Sequence, residues 1–399
     1  MKEGWEYKKL NYICLSIEDG DWIESKDQSQ SGIRLIQTGN IGNGSFKDKP
    51  NSAKYISEET FKKLHCTEVF EGDILVSRLP DPVGRACILP DIGCRCITAV
   101  DCSILKIKED LVYYEWITYY MQSQAYFTKI KNQCTGSTRQ RITRKKLAEI
   151  QIPVPPLSEQ QRIVDYLDAA FAKIDAMKAN AEKALNEAKA LFQASLKEML
   201  EPKEGWEEKK FGKICNFVRG PFGGSLKKEC FKDSGYPVYE QQNAIYNKFT
   251  FRYFIDEEKF KSLIRFKVNS GDLIMSCSGT IGKVAIIPEG AKDGIINQAL
   301  LKLTPNKDVD AHFLKYLMES NYFKEIINAN IEGVAIKNIA SVAVLKEIKL
   351  YIPKVNEQQN IVLEIDSLKS KVDRLQENYA KMSQECDALK QAILRQIFE

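Results

Sequence analysis

Two long stretches of the chain, residues 158–200 and 357–399, repeat apolar side chains at alternating spacings of four and three, and neither contains glycine or proline. This heptad pattern predicts two long helices that pair as a coiled coil. The predicted seam comprises Ile163, Leu167, Ala170, Ile174, Met177, Ala181, Ala184, Ala188 and Leu191, then Ile361, Ile365, Leu368, Val372, Leu375, Tyr379, Met382, Cys386, Leu389 and Ile393. The alternative is that each helix is amphipathic and packs only on its own globular domain.

The chain ahead of each long helix has a mixed pattern. Short β-rich runs, such as Asp73–Ser77 and Asp272–Ser276, lie between clusters of glycine, asparagine and proline, which are typical of turns. A proline-containing hinge then leads into the helix. Ser158 and Asn356, each followed three residues later by glutamine, are the predicted N-caps.

The two halves of the chain are copies of each other. Three pairs of segments match in the same order: 2–14 with 203–215, 71–77 with 270–276, and 152–164 with 350–362. Nine of the thirteen positions in the first pair are identical, and the offset changes only from 201 to 198 along the chain. Preserved order and spacing indicate a duplication of the whole unit.

The duplication predicts an α+β fold with two tandem-repeated α/β globular domains joined by two long helices. The predicted boundaries are 1–152 for the first domain, 153–202 for the central helix, 203–352 for the second domain and 353–399 for the C-terminal helix. Because the first helix ends where the second domain begins, helices that pair must run antiparallel. We therefore expect a dumbbell with a pseudo-twofold axis.

Composition is that of a folded protein: 44% of the 399 residues are apolar and 28% are charged, which excludes a disordered or collagen-like chain. The net charge is only +4, so a polybasic, histone-like protein is also excluded. Neither a long apolar span nor a signal peptide is apparent, and we expect a cytoplasmic protein without membrane contact. Eleven cysteines without a CxxC pair indicate free thiols.

Positive charge is concentrated outside the helices, which are slightly acidic. The segment from Lys129 to Lys146 holds seven basic residues and no acidic one, and it contains the run Gly-Ser-Thr-Arg-Gln-Arg at 136–141. Serine, threonine and arginine bind phosphates, and glutamine can read an adenine edge. We therefore favour contact of this segment with DNA over the alternative, in which it is only the solvent-exposed basic start of a helix.

Other polar loops, rich in amides or following the Gly-Asp strands, are further candidates for base contact. The predicted DNA-binding residues of the first domain are Arg34, Gln37, Arg78, Arg139, Gln140 and Arg141. Those of the second domain are Gln241, Gln242, Asn243, Ser278, Thr280, Lys283, Lys337 and Asn338. For any single residue outside the 136–141 run, a role in a surface turn is an equally strong alternative.

Catalytic motifs are missing from the sequence. The two histidines, His65 and His312, have no second histidine or cysteine at ligand spacing, and a zinc site or a histidine-based triad is not expected. No phosphate-binding GxxxxGK[ST] loop occurs, nor does the Asn-Pro-Pro-aromatic element of amino-methyltransferases. We expect a binding module without its own cofactor or metal.

Several of these motifs together carry a family likeness. The two Gly-Trp-Glu starts, the two Gly-Asp strands, the Gly-Ser-Thr-Arg-Gln element and the Ile-Pro-x-Pro-Pro-Leu-x-Glu-Gln-Gln-Arg-Ile junction at 152–163 resemble the specificity subunit of type I restriction–modification systems. The resemblance extends over essentially the whole chain, because both repeats take part.

The resemblance implies a non-catalytic subunit that binds double-stranded DNA. Each domain would read one half of a split, asymmetric target, and the helices would set the unread gap. Two modification subunits and two restriction subunits would be partners, and S-adenosylmethionine, ATP and Mg would bind to them. A coiled-coil protein–protein adaptor remains the alternative, and a stand-alone nuclease is a weaker third option.

Overall fold

The chain forms two compact units in the computed structural model, which describes residues 4–136, 140–278, 280, 282–329 and 342–399. Unit 1 comprises Met1–Glu182 with Tyr379–Glu399, and unit 2 comprises Lys183–Asn378. The division runs through both long helices, so each unit contains the start of one helix and the end of the other.

The strands of unit 1 are short. In chain order they are β1 Glu6–Lys9, β2 Cys14–Asp19, β3 Gln28–Ser29, β4 Ile33–Ile36, β5 Lys54–Ile56, β6 Glu68–Val69, β7 Ile74–Ser77, β8 Ala86–Ile88, β9 Cys96–Thr98, β10 Cys102–Ile107 and β11 Gln151–Val154. The helices are α1 Leu10–Ile13, α2 Glu58–Leu64, α3 Tyr114–Tyr120, α4 Gln124–Gln133, α5 Arg144–Ala148 and the long α6 Leu157–Leu200, whose C-terminal part belongs to unit 2.

Unit 2 repeats this order. Its strands are β12 Glu207–Lys210, β13 Cys215–Arg219, β14 Tyr236–Tyr239, β15 Phe254–Ile255, β16 Leu273–Ser276, β17 Val284–Ile286, β18 Ile295–Ile296, β19 Leu300–Pro305 and β20 Lys349–Ile352. Its helices are α7 Phe211–Ile214, α8 Gln241–Tyr246, α9 Glu257–Ser262, α10 Ala311–Glu319, α11 Asn321–Ala329, α12 Val342–Glu347 and the long α13 Val355–Phe398, which ends in unit 1.

The sheets confirm the duplication. A four-stranded antiparallel sheet has the order β2-β10-β7-β8 in unit 1 and β13-β19-β16-β17 in unit 2. A second sheet contains one parallel pair, β4 with β9 and β14 with β18. The first strand of each unit pairs with the strand just before its long helix, β1 with β11 and β12 with β20. Two tandem α/β domains are therefore present, as predicted.

The Gly-Asp repeats identified in the sequence start the β7–β8 and β16–β17 hairpins of the four-stranded sheets. Gly72 and Gly271 adopt positive φ values of 89° and 84° in the turn before the strand, a backbone conformation that favours glycine. The next residue, Asp73 or Asp272, is buried, and its carboxylate accepts the N–H of a residue three positions earlier. This turn fixes where each hairpin begins.

The long helices pack antiparallel within unit 1. Lys178 of α6 lies 3.0 Å from Asp387 of α13, and Asp175 lies 2.6 Å from Lys390, so residue numbers rise on one helix as they fall on the other. In unit 2 the end of α6, including Leu200, shares one hydrophobic core with Ile361 and Ile365 of α13.

Near the globular domains, residues of the predicted seam are buried or half-buried. Leu167, Ile174 and Ile365 are buried, and Leu368 and Val372 are half-buried. Leu167 and Ile174 also belong to the main core of unit 1. The helices therefore pack on their own domains as well as on each other, which combines the two interpretations weighed from the sequence.

Farther along the helices the burial departs from the predicted seam at four positions, although Cys386 of that seam is buried. Four residues assigned to it are exposed: Met177, Leu191, Leu375 and Leu389. A straight α-helix turns by about 20° per heptad relative to a strict seven-residue repeat, so residues placed by that repeat rotate progressively out of the interface. Lys178, Phe192 and Lys390 are the half-buried residues next to three of those positions.

Both long helices begin one residue before the predicted N-cap. Because α6 starts at Leu157 and α13 at Val355, Ser158 and Asn356 lie inside the first turn and do not cap it. The helix start is held instead by a buried glutamine. The side chain of Gln160 donates to the carbonyls of Leu111 and Pro155 and accepts the Tyr113 N–H, at 2.8–3.0 Å.

Gln358 makes the same three bonds in unit 2. It donates to Asp308 and Pro353 at 3.0 and 2.8 Å and accepts the Asp310 N–H at 2.7 Å. Both glutamines are fully buried. The Glu-Gln-Gln junction thus ties the long helix to the segment before α3 in unit 1 and before α10 in unit 2.

Candidate DNA interface

Three surface segments lie near the ends of the two larger sheets in each unit. Segment A follows β4 or β14 and comprises residues 37–47 and 240–250. Hairpin B connects β7 to β8 or β16 to β17 and comprises residues 78–85 and 277–283. Segment C follows β2 or β13 and comprises residues 20–24 and 220–224.

Segment A is built around a buried asparagine in both units. Asn40 accepts the Gln37 N–H at 2.9 Å, and Asn243 accepts the Glu240 N–H at 2.7 Å. The Asn243 amide also donates to the carbonyls of Lys248 and Thr250, at 2.7 and 3.2 Å. Asn243, predicted to contact bases, is fully buried and instead holds the shape of segment A.

The neighbouring amides of segment A remain at the surface. Gln37 in unit 1 and both Gln241 and Gln242 in unit 2 are half-buried. Gln242 lies 3.3 Å from the Glu240 carboxylate, which also pairs with Arg252 at 3.0 Å. Base contact by these three glutamines stays a prediction.

Two arginines predicted to contact DNA are buried in unit 1. Arg34, on the buried strand β4, pairs with Asp48, and Arg78 donates to the Val100 carbonyl. Each is less than a tenth exposed. A buried guanidinium requires such partners, so the prediction that Arg34 and Arg78 read bases directly is wrong, although Arg78 also borders the basic groove described below.

Arg85 joins hairpin B to segment A in unit 1. Its guanidinium donates to the carbonyls of Thr38 and Ile41 in segment A, each at 2.7 Å, and to Leu79 and Pro82 in hairpin B, at 2.8 and 3.1 Å. Burial lowers the pKa of this arginine. The two surface segments therefore form one rigid edge.

A basic groove lies beside this edge. It has a volume of about 700 Å³, and the lining includes Asp19, Arg78, Thr143, Arg144 and Lys145. Arg144 is about half exposed (51%) and lies 3.7 Å from the Asp19 carboxylate. Arg144, Lys145 and Asp19 were not among the DNA-binding residues predicted from the sequence. The unbroken basic run that ends at Lys146 could have indicated Arg144 and Lys145.

Two residues of the Gly-Ser-Thr-Arg-Gln-Arg element that the structure describes, Gln140 and Arg141, lie at the surface of unit 1. Arg141 is half exposed and lies 3.9 Å from Asp101. Gln140 is exposed and lines a cavity of about 1030 Å³ together with Lys131 and Asn132. Arg139 lies outside the described residues.

Hairpin B of unit 2 is held by Ser276, whose hydroxyl donates to the Thr280 carbonyl at 2.6 Å and accepts the Lys283 N–H at 3.0 Å. The side chains of Thr280 and Lys283 are exposed and Ser278 is half-buried, which suits the contacts predicted for them. Lys337 and Asn338 lie outside the described residues.

Within the described part of the chain, no cluster of three or more His, Cys, Asp or Glu side chains could hold a metal ion. All eleven cysteines, which are in that part, are free. No helix among the described residues is long and apolar enough to cross a membrane.

Comparison with known proteins identifies the family. The family described as the type I restriction modification DNA specificity domain matches residues 2–187 and again residues 203–381. The chain therefore belongs to the specificity subunits of type I restriction–modification systems, whose role is DNA target recognition. This confirms the resemblance inferred from the repeated motifs and selects it over the protein–protein adaptor.

Individual relatives are distant in sequence. The MjaVIII specificity subunit of Methanocaldococcus jannaschii is 25% identical, over 72% of this chain and 69% of its own length. The EcoKI specificity subunit of Escherichia coli K12 is 22% identical, over 100% of this chain and 89% of its own.

Solved structures share the fold. A structure from work on complex assembly and conformational transition of the type I R-M system gives a TM-score of 0.75 at 18% identity, covering 100% of this chain and 98% of its own. The HsdS subunit of Thermoanaerobacter tengcongensis gives 0.58 at 17% identity, covering 100% and 97%. Two repeated α/β domains with long helices are thus the family architecture.

Proposed function

We propose that each unit of this chain recognises one half of a bipartite, asymmetric DNA sequence. The proposal rests on one observation: the two units share the same sheets but present different side chains at the surface. Both units have the same sheet order, but segment A presents Gln37 in one and Gln241 with Gln242 in the other. Because the two units would recognise different bases, the target is asymmetric and the protein binds it in one orientation.

The exposed charges position the duplex and the amides read it. Arg141, Arg144 and Lys145 bind phosphates, which sets register without reading sequence. Gln37, Gln140, Gln241 and Gln242 supply amides that can form two hydrogen bonds to an adenine. The carboxylates of Asp19 and Asp101 hold Arg144 and Arg141 near the edge of unit 1.

The long helices set the gap between the half-sites and bind the other subunits. We assign two modification subunits to this chain, one for each repeat, with two restriction subunits outside them. Adenine methylation and DNA cleavage belong to those partners, which would bind S-adenosylmethionine, ATP and Mg, whereas this chain binds no cofactor. Because its substrate is chromosomal or incoming DNA, the assembly acts in the cytoplasm.

The experiment is to co-express this chain with its modification subunit in a host that lacks adenine methylation and to map methylated adenines across the genome. A new motif with two specified parts and a fixed gap supports the proposal. A motif without a gap, or no new motif when the complex is shown by pull-down to form with an active modification subunit, contradicts it.

A further inference from the structure

Hairpin B of unit 1 is bonded to two other surface segments. Arg85 joins it to segment A, and the Ile142 N–H at the end of the basic run donates to the Arg78 carbonyl in hairpin B at 3.3 Å. Gln37 begins segment A, and Gln140 lies two residues before Ile142. Hairpin B therefore connects the two segments that carry the surface amides predicted to read bases in unit 1.

The connection to segment A depends on one buried side chain. Arg85 is 7% exposed, and its guanidinium donates to four backbone carbonyls, two in segment A and two in hairpin B. None of these four acceptors is a carboxylate. Because a guanidinium carries its donors in one rigid plane, it fixes the position of segment A relative to hairpin B.

The Arg85 bond to the Thr38 carbonyl lies next to a predicted reader. Thr38 follows Gln37 in the chain, and the Gln37 N–H is itself held by Asn40 at 2.9 Å. The backbone of Gln37 is thus fixed on both sides, while its side chain is half-buried at the surface. A binding side chain is selective only when neighbouring bonds hold it in place, so the guanidinium bears on how Gln37 meets a base.

Unit 2 holds the equivalent segments in another way. Lys283 occupies the position of Arg85, since the carbonyl of each accepts the N–H of the serine that ends the preceding strand. Its side chain is exposed, and a lysine has a single ammonium on a flexible chain, which cannot reproduce the planar set of donors. Segment A of unit 2 is braced instead by Glu240, which pairs with Arg252 at 3.0 Å.

We propose that Arg85 is a positioning residue for base recognition by unit 1. It does not touch DNA; it holds Gln37 and hairpin B in the relative position from which the first half-site is read. This inference rests on the function proposed above. Its consequence is asymmetric, because loss of the arginine alters recognition of the first half-site and leaves the second unchanged.

The test uses the complex with the modification subunit, methylation mapping, and duplexes that carry single substitutions in either half of the mapped target. Arg85→Lys keeps the charge but not the planar donors. We expect discrimination at one or more positions of the first half-site to fall by about fivefold or more, with the second half-site unchanged.

Two variants of unit 1 serve as controls. Arg95→Lys alters an arginine that is 46% exposed and pairs with Glu58 and Glu68, and Gln160→Leu removes buried bonds at the start of α6 without touching the surface segments. Neither should change the motif. Arg85→Gln, which removes the charge, should leave the salt dependence of affinity for random DNA unchanged. A decrease of about 1 in that slope would make Arg85 a phosphate contact and overturn the inference.

Hydrogen–deuterium exchange of the unaltered complex without DNA tests the inference even where a variant does not fold. The hydrogen-bonded N–H groups of segment A and hairpin B should exchange slowly and together. Fast exchange of segment A within an otherwise protected unit 1 overturns the inference.

The specificity measurements can also overturn it while the target motif stands. The contradicting results are unchanged first-half discrimination in a folded Arg85→Lys complex, equal relaxation of both half-sites, or the same relaxation caused by Gln160→Leu. If the unaltered complex recognises no two-part target, the proposed function itself fails.

Discussion

Lys178 on the first long helix donates a hydrogen bond to Asp387 on the second, with 3.0 Å between Nζ and Oδ1. The reciprocal bond joins Lys390 to Asp175 at 2.6 Å. Both helices carry the same Asp-Ala-x-Lys sequence at this point, and antiparallel packing sets each lysine opposite the other aspartate. The pair of bonds defines the register of the helices within unit 1.

Breaking this register pair should destabilise the protein slightly. Asp387 is 68% exposed, and exposed pairs contribute about 0.2–1 kcal/mol. Lys178→Glu should therefore lower the free energy of unfolding, and the charge-swapped double variant Lys178→Glu with Asp387→Lys should restore part of the loss. Urea unfolding of the four proteins in a double-mutant cycle measures the coupling. A coupling energy near zero at low salt would show that the bond adds nothing to the free energy of unfolding.

The buried glutamines at the helix starts should matter far more. Gln160→Leu leaves the Tyr113 N–H and the carbonyls of Leu111 and Pro155 without their partner, and we expect a loss of about 2–4 kcal/mol in the free energy of unfolding. Gln358→Leu should behave alike in unit 2.

Each of these variants has a matched control next to it in the sequence. Gln161 and Gln359 are exposed, so their leucine variants should change the free energy of unfolding by less than about 0.5 kcal/mol. Thermal unfolding followed by circular dichroism provides the comparison. Equal losses for Gln160→Leu and Gln161→Leu would contradict the structural role assigned to the buried amide.

The architecture could be predicted from the sequence because duplication and heptad periodicity are patterns that extend over long stretches of the chain. It was less informative about individual contacts. Arg34, Arg78 and Asn243 were chosen for their chemistry, but burial depends on tertiary packing that a single sequence does not reveal. Met177 and Leu389 were misplaced because the strict heptad ignores the 3.6-residue turn of a straight helix.

Asn243 and Gln242 should separate structure from specificity. Asn243→Ala removes the bonds that shape segment A and should lower the free energy of unfolding by about 1–3 kcal/mol. Gln242→Ala should leave stability nearly unchanged but relax one position of the target, with a discrimination loss of about 1–3 kcal/mol. Unfolding curves and methylation maps of both variants test the distinction. If neither variant relaxes the target motif, Gln242 does not contact the bases.

Arg144 should bind phosphate without reading sequence. Arg144→Ala should weaken target and random duplexes by the same factor and reduce the slope of log affinity against log salt by about 1. Gln140→Ala should instead weaken the target alone. Fluorescence anisotropy over a salt series measures both, with Lys183→Ala on the exposed face of α6 as the control. An unchanged salt slope for Arg144→Ala would exclude the phosphate contact.

The central claim is that each unit recognises its own half-site. The most direct test replaces most of unit 2 by the equivalent part of unit 1. Residues Cys215–Ile348 can be replaced by Cys14–Ile150, because both junctions lie in matching elements, where Ile150 and Ile348 accept the N–H of Leu10 and Phe211 at 3.0 and 2.7 Å. Methylation mapping of this chimera with its modification subunit should give a motif made of two copies of the first half-site. A motif that keeps the original second half would contradict the account.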